Sequence, residues 1–205
     1  MNETSILSSI RKGPGINKVI MFLIYSDFFM QMGWGLINPI IAVFITNQVA
    51  GGDVAVAGIA ASIVMITQAL VQIPVARWID SKKGELDDFR LMILGSVITA
   101  ISAGLFLFVT TPLHIYILQL FYGIGLGLVF PGYVAIFTRH IDKNREGFEW
   151  TLYSTFVNLG TAFTATLGGI LADQYGFKYI FALAFVLAVI GVIFSIGIHS
   201  NLRKK

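Results

Sequence analysis

Six long apolar runs divide the chain, at 19–46, 54–76, 91–110, 113–138, 151–172 and 178–200, and polar residues gather in the breaks between them. Each run reaches the ~20 mostly apolar residues that a helix needs to cross a bilayer. Residues 47–53 contain Gly51-Gly52, 77–90 are densely charged, and Thr110-Thr111-Pro112 is a tight turn. Residues 139–150 are charged again, and 173–178 hold Gly176. The pattern predicts an all-α membrane protein with a six-helix transmembrane domain over 18–200. An N-terminal segment, 1–17, precedes it and a basic tail, 201–205, follows. No break is long enough for a separate extramembrane domain.

Composition agrees with that reading and narrows it. Of 205 residues, 56% are hydrophobic and 12% charged, against roughly 25% charged in a soluble domain. The first seventeen residues are polar and marked by Gly and Pro, and the apolar run after them is too long for a signal peptide core. With no cysteine, disulfide, Cys-zinc and thiol chemistry are excluded. His114, His140 and His199 sit in different breaks or span ends, without metal-ligand spacing, and no Ser/His/Asp constellation lies within the spans. Neither a cofactor, a metal nor an enzymatic activity is implied. The net charge of +3 comes from short basic clusters rather than a stripe, so a nucleic-acid partner is not implied.

Those clusters set direction instead. If both ends and the second and fourth breaks face the cytoplasm, that side holds all 14 Lys and Arg except Lys178. Such a bias predicts both termini inside, in a multi-pass protein of the plasma (inner) membrane.

The first and fourth runs share a motif. Gly33-Trp34-Gly35-Leu36-Ile37-Asn38-Pro39 and Gly125-Leu126-Gly127-Leu128-Val129-Phe130-Pro131 both read G-x-G-x-x-x-P, 92 positions apart (33 to 125). Ile79-Asp80 before Gly84 and Ala172-Asp173 before Gly176 recur at nearly the same offset. Spans 1–3 and 4–6 therefore read as two copies of one unit, 18–110 and 113–200, inverted because span 1 runs outward and span 4 inward. Inverted repeats recur in secondary transporters.

Polar residues are unevenly shared. The first span carries Asp27, Gln31 and Asn38 at i, i+4, i+11, on one helical face. The second carries Gln68 and Gln72, the fourth Gln119 above Gly123, Gly127 and Pro131, and the fifth Asn158 between Ser154 and Thr161. The third offers only small hydroxyls, Ser96, Thr99 and Ser102, and the sixth little beyond Ser195 and His199. Spans 3 and 6 thus read as lipid-facing supports, and the other four as facing a cavity or one another. Buried amides serve equally as interhelical glue. Asp27 stands apart, because a carboxylate at a span centre costs about 2.5–3.5 kcal/mol on insertion scales. It reads as a site for a proton, a cation or a solute, the alternatives being a structural ion pair with Arg139 or His140, or a place shallow enough to reach interfacial water.

These features resemble one six-helix half of a major facilitator superfamily secondary transporter. The G-x-G-x-x-x-P of the first span is similar to that of the family's drug-efflux branch. The segment from Pro74 through Arg77, Asp80, Lys82 and Lys83 to Gly84 is similar to the family's loop between helices 2 and 3, G-x-L-x-D-R-x-G-R-K. The resemblance implies a gating role for Arg77, Asp80, Lys82 and Lys83. Ala76 stands in place of the first glycine, and Gln119-Leu120-Phe121-Tyr122-Gly123 where the family often has an Arg-x-x-x-Gly tied to proton coupling. The antiporter proline of helix 5 is absent. Members of the family usually have twelve helices in two halves around a central cavity. Alone, this chain would show its polar stripes to lipid, which predicts a parallel homodimer. The implied function is solute transport by alternating access, through Asp27, Gln31, Asn38, Gln68, Gln72, Gln119 and Asn158. Sugars, nucleosides and neutral drugs suit such a cavity about equally. The alternatives are a non-transporting scaffold or receptor subunit, one half of a heterodimer, and a fragment of a longer chain, against which the basic end at Lys205 argues.

Overall fold

The first apolar run does not form one helix. In the computed structural model, which describes residues 16–82 and 84–202, it forms α1 (Lys18–Ile37) and α2 (Ile41–Gln48). Pro39 lacks the N–H that would continue the hydrogen-bond ladder, and the helix lapses over 38–40. The other spans are α3 (Val54–Ser81), α4 (Leu86–Leu105), α5 (Pro112–His140), α6 (Glu146–Tyr175) and α7 (Phe177–Gly197). Short 3₁₀ turns extend α4 over Phe106–Phe108 and α7 over Ile198–Asn201. Six of these segments are long and apolar enough to cross a membrane.

Local chemistry sets the helix ends. The side chains of Asn17 and Asp53 accept hydrogen bonds from the backbone N–H of Val19 (2.9 Å) and Val56 (2.7 Å), capping α1 and α3. Pro112 opens α5, where its missing N–H does no harm. Gly176, at φ +82°, turns the chain from α6 into α7. The helix α6 starts at Glu146, five positions before the apolar run at 151, because Glu146 and Glu149 suit a helix's first turn. Pro131 lies inside an unbroken α5, so the two G-x-G-x-x-x-P motifs differ: one breaks its helix and the other does not.

The glycines of both motifs have corresponding uses. Helix α1 packs on α6 and α7, α5 packs on α3 and α4, and α4 meets α7. A Cβ on Gly33 would lie 2.7 Å from the Ala184 carbonyl oxygen of α7, and one on Gly35 would lie 3.0 Å from the Thr161 carbonyl oxygen of α6. On α5, a Cβ on Gly125 would lie 2.9 Å from Thr99 of α4, and one on Gly127 would lie 2.6 Å from Val71 of α3. In each motif the first glycine admits the third helix of a triplet and the second admits the middle one. Gly33→Ala is expected to destabilise the bundle by about 1–3 kcal/mol, the usual range for overpacking, because the atom it meets is backbone. Gly169→Ala, with nothing within 4 Å, is the control. Thermal unfolding in detergent measures both, and equal melting would show that α1 and α7 can separate without loss.

The core has two parts. Trp34, Leu36, Phe44, Phe106, Ile115 and Phe181 belong to an apolar cluster at one end of the bundle. Ile20, Leu23, Phe89, Met92, Ile136 and Phe137 belong to another at the opposite end. The helices α3 and α6 contribute least: 11% and 17% of their apolar stretches are buried, against 33% to 50% in the other spans. Met65, Ile66, Leu70 and Ile73 on α3, and Phe156, Leu159, Phe163 and Ile170 on α6, are exposed.

Candidate functional site

Between the two apolar clusters lies a cavity of about 320 Å³, lined by all six spans. The helix α1 supplies Ser26, Asp27, Met30, Gln31 and Trp34, and α3 supplies Gln68. Tyr122, Phe130 and Tyr133 come from α5, Trp150 and Tyr153 from α6, Met92, Ser96 and Thr99 from α4, and Ser195 from α7.

Asp27 is held by neutral donors. The Tyr153 hydroxyl donates to Oδ2 at 2.7 Å, and the Gln31 amide, one helical turn along α1, bonds the same carboxylate. Arg139 instead pairs with Asp88, and His140 faces Glu85 at 3.6 Å. The structural ion pair considered for Asp27 is therefore not formed. Aromatic rings make the walls: Trp34 stacks on Tyr122 with centroids 3.7 Å apart, and Tyr153 adjoins Tyr133 at 5.5 Å and Trp150 at 5.7 Å. The Trp34 Nε1–H is buried with no hydrogen-bond partner among the described residues. Hydroxyls form the back wall, where Ser26 and Ser195 bond each other and the Thr99 hydroxyl lies 3.6 Å from the Met30 sulfur.

Of the residues expected from the sequence, Asp27, Gln31 and Gln68 meet in this cavity. Gln72 lies in an adjoining groove between α3 and α5 together with Asp80. Phe130 and Val134 line both spaces. Asn38 is exposed at the end of α1; its backbone N–H still donates to the Trp34 carbonyl, so it lies outside the cavity by its position along the axis. Gln119 is buried outside the cavity, its Oε1 without a partner. Asn158 is exposed and donates to Ser154 at 3.3 Å. Arg77, Asp80 and Lys82 are exposed, with the Lys82 ammonium 5.5 Å from the Trp78 ring centre. Lys83 lies outside the described residues, as do 1–15 and 203–205, where most of the N-terminal segment and the basic tail fall.

Spans 3 and 6 are not mere supports, since Ser96, Thr99 and Ser195 reach the cavity. The sequence reading expected aromatics in the cavity but did not single out Trp34, Tyr122, Tyr133, Trp150 or Tyr153. A second cluster near the loops was missed as well. Beside the Asp88–Arg139 and Glu85–His140 pairs, Asn17 donates to the His140 carbonyl at 3.3 Å. These contacts tie the starts of α1 and α4 to the end of α5.

Six bilayer-length helices around a polar interior define an integral, multi-pass α-helical membrane protein. The sequence profile of the Major Facilitator Superfamily matches residues 23–202, and the chain belongs to that family. An uncharacterized MFS-type transporter of Methanocaldococcus jannaschii is 26% identical over 184 residues, 88% of this chain and 45% of that one. The multidrug resistance protein MdtG of Yersinia enterocolitica is 24% identical over 199 residues, 95% of this chain and 46% of that one. The chain thus spans about half the length of the curated relatives it matches. The crystal structure of the POT family transporter PepTSo superposes with a TM-score of 0.73 at 14% identity, covering 93% of this chain and 39% of that one. At that identity the likeness is one of fold.

Proposed function

We propose that the chain forms half of a secondary transporter and works as a parallel homodimer, moving a small solute across the plasma membrane by alternating access. The observation that carries this reading is the cavity around Asp27, which lies between the two apolar clusters. A solute held there could exchange with either side by parting one cluster at a time. The corresponding uses of the two G-x-G-x-x-x-P motifs support two inverted triplets, and the Lys/Arg bias supports both termini inside. The poorly buried, apolar faces of α3 and α6 suit a second six-helix unit, as the chain's length beside its relatives also suggests. Asp27, Gln31 and Gln68 contact the solute, and Gln72 stands on its path. Asn38, Gln119 and Asn158 act from outside the cavity. Arg77, Asp80, Lys82 and Lys83, at and after the end of α3 in the chain, act as an inner latch.

The chain contains no cysteine, so introduced thiols report alone. Met65→Cys on α3 combined with Phe163→Cys on α6 should give a covalent dimer in native membranes when treated with a short bismaleimide. A product that stays monomeric throughout would remove the homodimer. Uptake by proteoliposomes across a solute panel, with and without a proton gradient, tests transport itself. Lack of uptake of any solute would leave a non-transporting scaffold.

A further inference from the structure

We infer that the Asp27 cavity takes an organic cation, a small solute bearing a protonated amine or quaternary ammonium, and that one chain supplies the whole site. This rests on the transporter reading for its purpose, but not for its chemistry.

Charge comes first. Among the described residues that line the cavity, Asp27 is the one carboxylate, and none is Lys, Arg or His. Arg139 and His140 face Asp88 and Glu85 instead. Tyr153 and Gln31 give Asp27 hydrogen bonds but no counter-charge. A carboxylate inside a span is stabilised most by an opposite charge, and here only a ligand can bring it. An anion would meet repulsion. A neutral polyol would find amides and hydroxyls to bond, but would leave the charge of Asp27 without a counter-charge.

The walls fit the same ligand. Trp34, Tyr122, Tyr133, Trp150 and Tyr153 surround the space, and aromatic faces attract cations, most strongly when water is excluded. The cavity, about 320 Å³, lies at the small end of the ~300–1,000 Å³ range of ligand pockets, which suits a single-ring amine. Carboxylate, amides, rings and hydroxyls come from the six spans of a single chain. In a dimer there would be two such sites rather than one shared across the axis.

Isothermal titration of the purified protein in detergent with benzyltrimethylammonium, N,N-dimethylbenzamide and benzenesulfonate tests the inference. The cation should bind at least tenfold more tightly than the neutral amide, about 1.4 kcal/mol, at one per chain, and the sulfonate more weakly than either. Asp27→Asn should lose at least tenfold for the cation and nothing for the amide. Asp27→Glu, which keeps the charge, should retain the preference and covers the case in which Asp27→Asn misfolds. Equal affinity for cation and amide, or an Asp27→Asn affinity within twofold of the parent, would overturn the inference. One cation per two chains would overturn the claim that a single chain completes the site. Binding at equilibrium requires no transport, so cation binding without any uptake would sink the transporter reading alone. Uptake of neutral solutes without cation binding would sink this inference alone.

Discussion

Asp27→Asn is expected to lower solute uptake into proteoliposomes at least tenfold while leaving the protein folded. Asparagine has nearly the same shape, and its side-chain oxygen can still accept from the Tyr153 hydroxyl that now bonds Oδ2 at 2.7 Å. Only the charge is lost. A hydrogen bond to a charged group contributes about 1.5–3 kcal/mol, enough for a tenfold effect or more. Folding should not suffer, because an ionisable carboxylate in a span carries an insertion penalty of about 2.5–3.5 kcal/mol that an amide reduces. Initial uptake rates and a melting curve on the same preparation separate the two effects. Unchanged uptake would leave Asp27 a structural partner of Tyr153 and nothing more.

A loss of stability of about 3 kcal/mol is expected from Arg139→Leu. The Asp88 side chain is fully buried, whereas Arg139 keeps 34% of its side-chain surface exposed. Removing one member of a buried pair leaves an uncompensated charge and costs about 3–5 kcal/mol. The lower end applies because solvent reaches the arginine and weakens the pair. The penalty should grow from the position of Asp88, whose backbone carbonyl approaches Gly132 where α4 crosses α5. Asp88→Leu combined with Arg139→Leu should recover much of the loss, since it removes the stranded carboxylate. Denaturation in detergent decides between these outcomes. If the single and double variants melt together, the charge left on Asp88 is not the source of the loss.

The spans were legible because lipid imposes a coarse rule, about twenty apolar residues per crossing, whereas several ends were not: α3 continues past 76 to Ser81, and α4 and α6 start at Leu86 and Glu146, ahead of the apolar runs at 91 and 151. The lapse after α1 was not legible. Proline in a span breaks the helix at Pro39 and is accommodated at Pro74 and Pro131, and neighbouring helices decide which. Within the site, Asp27, Gln31 and Gln68 stood out because amides and carboxylates are rare in apolar runs. Ser96, Thr99 and Ser195 did not. Each donates to a carbonyl of its own helix, at 2.8, 2.8 and 3.2 Å, so each would be satisfied facing lipid as well. Tyr133 and Tyr153 were equally mute, since tyrosines also serve as interfacial anchors. Asn38 and Asn158 lie outside the cavity although their helices are regular up to them, because helical spacing gives a face and not the depth along the axis or the neighbour that the face meets.

The separation of the apolar core into two clusters has an evolutionary consequence. Substitutions that share no partners have additive effects, and Phe137 and Phe181 sit in different clusters on opposite sides of the cavity. Mutation can therefore loosen or tighten one end of the bundle without disturbing the other. Selection could tune how the protein meets one compartment independently of how it meets the opposite one, while the chamber between them is left unchanged.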